Sequence, residues 1–103
     1  MVTIQNYVRA KSLEEAYELN QKKGNCILGG MLWTKMQNRM IQTAIDLCDL
    51  GLNEIEETEE EFSIGAMVSL RQLETDTGLN AYTQGAVRDA VKDIVGVQFR
   101  NLA

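Results

Sequence analysis

Asn25-Cys26-Ile27-Leu28-Gly29-Gly30-Met31-Leu32-Trp33 is the stretch on which the reading of this chain turns. Cys26, Ile27 and Leu28 make a short apolar run of the length of a buried strand. Gly29 and Gly30 break it, and Met31 to Met40 can continue as a helix with Met31, Leu32, Met36 and Met40 on its apolar side. Strand, glycine pair, helix is the layout in which backbone N–H groups face an anion, and glycines let a phosphate approach the main chain. A Gly-Gly pair alone marks a sharp turn as readily as a phosphate site. The flanks have to decide.

Upstream, Val2–Val8 (VTIQNYV) is rich in β-branched and aromatic residues and reads as a strand. Ser12 with Glu15 is a capping-box pattern that opens a helix through Lys23, with Leu13, Ala16, Tyr17 and Leu19 as its apolar stripe. Gly24 stands where a left-handed residue would end that helix. Strand, helix and the Cys26–Leu28 strand then form a βαβ unit with parallel strands and a right-handed crossover. Downstream, Thr43–Leu47 is a third strand candidate, and Leu50-Gly51-Leu52 a turn. Glu54–Thr58 and Glu61–Ala66 read as a hairpin, with Phe62 and Ile64 alternating with polar neighbours. Ser69 with Gln72 is a second capping box, for a helix through about Thr75. Gly78 and Asn80 punctuate. A last helix from Thr83 to Val95 places Ala86, Val87, Ala90, Val91 and Ile94 on one face, read as a core face. The fold class expected is α/β (α+β): a small βαβ unit over residues 1–53, then a mixed portion with a hairpin and helices over residues 54–103.

Composition narrows the chemistry. The 103 residues are 45% hydrophobic and 24% charged, as in an ordinary globular domain. No apolar run approaches the length of a membrane span, and no basic-then-apolar leader opens the chain, so the default compartment is the cytoplasm. The net charge of −5, with acids gathered at Glu54, Glu56, Glu57, Glu59, Glu60 and Glu61, argues against a nucleic-acid surface. A solvated hairpin accounts for those acids better than an acidic ligand site. There is no histidine, which removes the commonest general base and zinc ligand together. Cys26 and Cys48 form no Cys-x-x-Cys pair; spacing leaves a disulfide open, but buried thiols are the plainer reading.

Five segments in order resemble the N-terminal part of the FAD-binding (medium) subunit of molybdenum hydroxylases, the xanthine dehydrogenase and carbon monoxide dehydrogenase group. Tyr7 with Ser12-Leu13-Glu14-Glu15-Ala16 resembles its opening strand and helix. Ile27-Leu28-Gly29-Gly30 is similar to its first flavin loop, Ala-Gly-Gly followed by Thr or Ser. Ala44-Ile45-Asp46-Leu47 resembles the next strand, Ile64-Gly65-Ala66 with Val68-Ser69-Leu70 its Ile-Gly-Ala segment, and Gln98–Ala103 the segment before its second flavin loop. Two departures stand out. The second loop, close to Thr-Ile-Gly-Gly-Asn, would begin after Ala103, so the chain reads as a fragment of about a third of the subunit. The hydroxyl residue expected after Gly30 is Met31, which would remove a side-chain hydrogen bond of about 0.5–1.5 kcal/mol, or about twice that to a charged oxygen.

The resemblance implies electron transfer: from a molybdenum-cofactor large subunit, through iron–sulfur clusters of a small subunit, to FAD and then to NAD or another acceptor. It places the pyrophosphate on the amides of Ile27, Leu28, Gly29, Gly30, Met31, Leu32 and Trp33, aided by the N-terminus of the next helix. Gly65 and Ala66 would lie near the flavin or its ribityl chain, and Arg100 and Asn101 would position the second loop. Trp33 is expected to pack under the loop, with stacking on the cofactor as the alternative. No catalytic residue, metal, nucleic acid or membrane is implied. With one loop of two present, residues 1–103 are expected to retain little FAD. A module without cofactor, acting through protein contacts or inactive, is the alternative.

Overall fold

The computed structural model describes residues 1–103, which form two compact units, Met1–Gly51 and Leu52–Ala103. In the first, β1 (Thr3–Arg9), β2 (Cys26–Leu28) and β3 (Met40–Asp46) make a three-stranded sheet of order β1-β3-β2. Both pairings are parallel, Thr3 opposite Met40 through Arg9 opposite Asp46, and Cys26 opposite Ala44 through Leu28 opposite Asp46. The two strands of the expected βαβ unit are therefore parallel, with β3 inserted between them. A central parallel strand is covered on both faces, and Ile41, Ala44 and Ile45 of β3 are fully buried. Leu28, Ile41 and Ala44 form an apolar cluster against which Val2, Ile4, Cys26 and Met31 pack.

Helix α1 (Leu13–Asn20) starts at Ser12, whose Oγ accepts from the Glu15 amide at 3.1 Å; only this half of the expected box forms. The stripe is also rotated from expectation. Ser12, Glu15, Ala16 and Leu19 face inward, at i, i+3, i+4 and i+7, while Leu13 and Tyr17 are exposed. Leu13 and Tyr17, four residues apart, share the outer side. Gly24 is not a left-handed cap either. Asn25 Nδ2 donates to the Leu19 carbonyl at 2.8 Å and closes the helix, while Gly24 accepts from the Gln42 amide at 2.8 Å.

The helix expected over Met31–Met40 is replaced by a single 3-10 turn, Thr34–Met36, followed by extended Gln37. The reason is distance. The chain must return from the level of Asp46, opposite Leu28, to that of Met40, roughly 20 Å along the sheet. Residues 29–39 as one helix would climb only about 16 Å. One turn plus an extended run makes the span, and β3 consequently starts at Met40 rather than Thr43.

The second unit opens with the hairpin β4 (Ile55–Glu57) and β5 (Phe62–Ile64), Ile55 opposite Ile64 and Glu57 opposite Phe62. Thr58 shapes its tip: its amide donates to the Glu61 carbonyl at 2.9 Å and its Oγ1 accepts from the Glu60 and Glu61 amides. The acidic side chains at the tip are exposed. Helix α2 (Leu70–Thr75) carries the complete capping box, Ser69 Oγ accepting from Gln72 N at 3.1 Å and Gln72 Oε1 from Ser69 N at 2.9 Å. Then come α3 (Thr77–Tyr82), capped by Asp76, α4 (Ala86–Val91) and α5 (Val97–Arg100). The single last helix expected over Thr83–Val95 is thus shortened. Left-handed Gln84 and Gly85 precede it and left-handed Val95 follows it, and Gly78 lies inside α3 instead of breaking it. Only Val91 of the expected apolar stripe is buried; Val87 is half-buried and Ala86, Ala90 and Ile94 are exposed.

Two charged residues lie in the interior of this unit. Glu74 and Arg100 are 7% and 8% exposed and pair at 2.9 Å, and Arg71 also pairs with Glu74. Arg100 Nη1 donates to the Val95 carbonyl at 2.8 Å. Burial pushes the Glu74 carboxyl up, but the Arg71 and Arg100 guanidiniums outweigh it and hold it below its ordinary 4.5. A carboxylate whose pKa is lowered by folding adds stability above its unfolded value, and that stability is lost as pH falls through the folded value. Wild type is therefore expected to melt several degrees above Glu74→Gln at pH 7, the gap narrowing as pH drops below about 4.5. A gap independent of pH in thermal melts would show that the carboxylate's charge is immaterial.

Candidate functional site

The carboxyl end of a parallel strand is where open α/β sheets bind ligands, and at the end of β2 the chain presents Gly29 and Gly30, both exposed. Two observations distinguish this loop from an ordinary turn. A Cβ built on Gly29 meets no atom within 4 Å, and Gly29 does not have positive φ. Neither packing nor backbone conformation within the chain requires glycine there. In addition, no amide from Gly29 through Trp33 donates a hydrogen bond within the chain, so a run of consecutive donors is left free. Anions are held by such runs of backbone N–H groups.

Met31 has φ +62°, in the left-handed region, and its side chain packs against the Leu28–Ile41–Ala44 cluster. Ile27 and Leu32 are half-buried and Leu28 is buried. Trp33 is 60% exposed, which corrects the expectation that it packs under the loop. The expected contribution of a helix N-terminus also falls away, because the loop leads into the 3-10 turn, tied by Lys35 N to the Met31 carbonyl at 3.1 Å and Met36 N to that of Trp33 at 3.1 Å. Positive charge comes instead from Lys35 and Arg39 on the same connection, both exposed and in no ion pair.

The ends of β1 and β3 add a polar cluster that sequence reasoning missed. The Tyr7 hydroxyl donates to Asp46 Oδ2, Cys48 N donates to Asp46 Oδ1 at 2.9 Å, and Arg9 pairs with Asp49 at 2.6 Å. The hydrogen bond to Asp46 raises the Tyr7 phenol above its ordinary value and lowers the Asp46 carboxyl. Cys48 is exposed and Cys26 half-buried, against the expectation of buried thiols, and both are free. Desolvation first, then Asp46, raises the Cys48 thiol, which keeps it protonated and a poor nucleophile. The signal for this cluster is the parallel register that puts Arg9 opposite Asp46, which no local pattern reveals.

Gly65 and Ala66 lie in the second unit just after β5. A Cβ on Gly65 would stand 2.0 Å from the Leu52 carbonyl oxygen. Its glycine is thereby accounted for inside that unit by the crossing of its own backbone. Ala66 is exposed.

Residues 2–103 match the family model described as the FAD binding domain in molybdopterin dehydrogenase. No curated protein matches the chain. Among solved structures it is similar to quinoline 2-oxidoreductase from Pseudomonas putida 86 (TM-score 0.81, 19% identity, 98% of this chain and 37% of that one). It is also similar to a Cu,Mo-CO dehydrogenase in its cyanide-inactivated form (TM-score 0.80, 23% identity, 100% and 38%). A third likeness is to a carbon monoxide dehydrogenase from Hydrogenophaga pseudoflava lacking the Mo-pyranopterin moiety of its cofactor (TM-score 0.77, 25% identity, 95% and 36%). The chain spans a little over a third of the length of these solved chains. No helix is long and apolar enough to cross a membrane. With the family model matched over residues 2–103, the chain belongs to the FAD-binding domain family of molybdopterin dehydrogenases, and FAD is the cofactor that membership indicates.

Proposed function

We propose that this chain holds the pyrophosphate of FAD on the Gly29–Gly30 loop, as part of the flavin subunit of a molybdenum hydroxylase such as a xanthine or carbon monoxide dehydrogenase. The observation that carries this reading is the open approach at Gly29 beside the free amides of Gly29–Trp33. Those amides supply donors to phosphate oxygens, and Lys35 and Arg39 add long-range attraction. Ile27 and Leu28 anchor the loop to the sheet, and Trp33 offers an exposed aromatic face beside it. When bound, the flavin supplies redox chemistry between one-electron and two-electron partners. The chain's own residues bind and orient it, which requires no histidine and no nucleophile. The partners implied are an iron–sulfur small subunit as electron donor, a molybdenum-cofactor large subunit, and NAD or another final acceptor.

An amide-resolved titration of the 103-residue chain with FAD tests the binding. Resonances of residues 29–33 are expected to move in a saturable way, and adenosine diphosphate, which shares the pyrophosphate, is expected to move the same set. Saturable shifts confined to other residues, or none at millimolar FAD, would remove the loop from the binding site.

A further inference from the structure

Met31 is an unusual residue for its place. Left-handed backbone is uncommon outside glycine, asparagine and aspartate, and here it falls on a long thioether side chain directly after two glycines. Glycine would adopt the same φ without strain. What opposes the strain is the side chain: it reaches the cluster of Leu28, Ile41 and Ala44, beside Val2, Ile4 and Cys26. Methionine, unbranched and adaptable, suits such an irregular gap. The carbonyl of Met31 is held as well, by the Lys35 amide at 3.1 Å. Anion-binding runs of amides characteristically include a left-handed residue, since the reversal of backbone hand brings successive N–H groups to one side.

We propose that Met31 is a positioning residue for the phosphate ligand. Its side chain, wedged into the apolar cluster, holds its own backbone left-handed and so fixes the free amides of Gly29–Trp33 in the arrangement that receives the pyrophosphate. The proposal rests on the pyrophosphate reading of the loop. Without the wedge, Gly29 and Gly30 would leave the segment free to sample many backbone states, and the ligand would have to order it on binding. A loop that spends about one-tenth of its time in the competent form binds about tenfold more weakly.

The test compares wild type with Met31→Gly, Met31→Ala and Met31→Leu in the whole 103-residue chain, by amide-resolved FAD titration and ¹⁵N relaxation. Met31→Gly permits the backbone conformation but removes the wedge; it is expected to weaken FAD binding about tenfold and to lower the order parameters of residues 29–33 while those of β1 and β3 stay unchanged. Met31→Ala lacks the wedge and cannot relax into a glycine's freedom, and is expected to lose at least as much affinity. Met31→Leu keeps the apolar volume and is expected to bind within about twofold of wild type. If Met31→Gly and Met31→Ala bind FAD as wild type does, with shifts still at residues 29–33, the positioning role is overturned while the pyrophosphate site stands. Should FAD leave residues 29–33 of the wild type unmoved, the site itself fails, and the proposal with it. If the glycine variant does not fold, the alanine and leucine variants decide the matter.

Discussion

Gly65→Ala is expected to lower the stability of the second unit by about 3 kcal/mol and the melting temperature by roughly 10–20 °C. The added methyl would lie 2.0 Å from the Leu52 carbonyl oxygen and 2.5 Å from its carbon. Both are backbone atoms, so no side-chain rotation relieves the overlap. The strands around it have little freedom to part. Gly65 N donates to the Glu54 carbonyl at 3.0 Å, Met67 N donates to Leu52 O at 2.8 Å, and Ile64 pairs with Ile55 one residue away. Displacing Leu52 by an ångström or more weakens these bonds together and leaves half-buried donors short of acceptors. Urea denaturation followed by far-ultraviolet circular dichroism measures the loss. A cost under about 0.5 kcal/mol, the usual range of an inconsequential surface change, would show that Leu52 does not cross Gly65 this closely.

Gly65 also marks the limit of what sequence reveals here. Features whose cause is local were legible: the β-branched run of β1, the alternation around Phe62 and Ile64, and the Ser69–Gln72 capping box. Features set by distant chain were not. The pattern over Met31–Met40 fits a helix by period, but the distance back to the start of β3 forbids one, and that distance exists only once Cys26–Leu28 is registered against Ala44–Asp46. Leu13 and Tyr17 fit a stripe, yet the inward face is that of Ala16 and Leu19, one the apolar spacing alone does not single out. The break at Gln84–Gly85 depends on Asn80, whose carbonyl accepts from Gly85 N at 2.8 Å and whose Oδ1 accepts from Arg88 N at 2.9 Å. In the candidate site, the glycine pair at the end of a strand was readable. The left-handed Met31, the exposure of Trp33 and the Tyr7–Asp46 contact were not, because each depends on how distant segments pack.

Gly29→Val is expected to have the opposite profile to Gly65→Ala: a melting temperature within about 4 °C of wild type, and FAD binding weakened by tenfold or more. The first half rests on the open space around Gly29 and on its φ outside the left-handed region, so that an added Cβ meets neither a clash nor left-handed strain. Substitutions on such a surface stay within about 0.5 kcal/mol. The second half rests on the use of that space. Phosphate oxygens must come within about 3 Å of backbone nitrogens to accept their hydrogen bonds, and an isopropyl group beside the run of free amides from Gly29 to Trp33 holds them away. Loss of one hydrogen bond to a charged oxygen, about 1.5–3 kcal/mol, already exceeds the 1.4 kcal/mol that corresponds to a tenfold change. Thermal melts and FAD titrations on the same preparations separate the two halves. A destabilised Gly29→Val would mean that the fold itself needs this glycine, and its presence would no longer point to a ligand. A stable variant that binds FAD as wild type does would mean that the pyrophosphate lies elsewhere. Only the stable, non-binding outcome links the unexplained glycine to the cofactor, which is why this position, rather than the strained Met31 or the buried Leu28, is the decisive one to change.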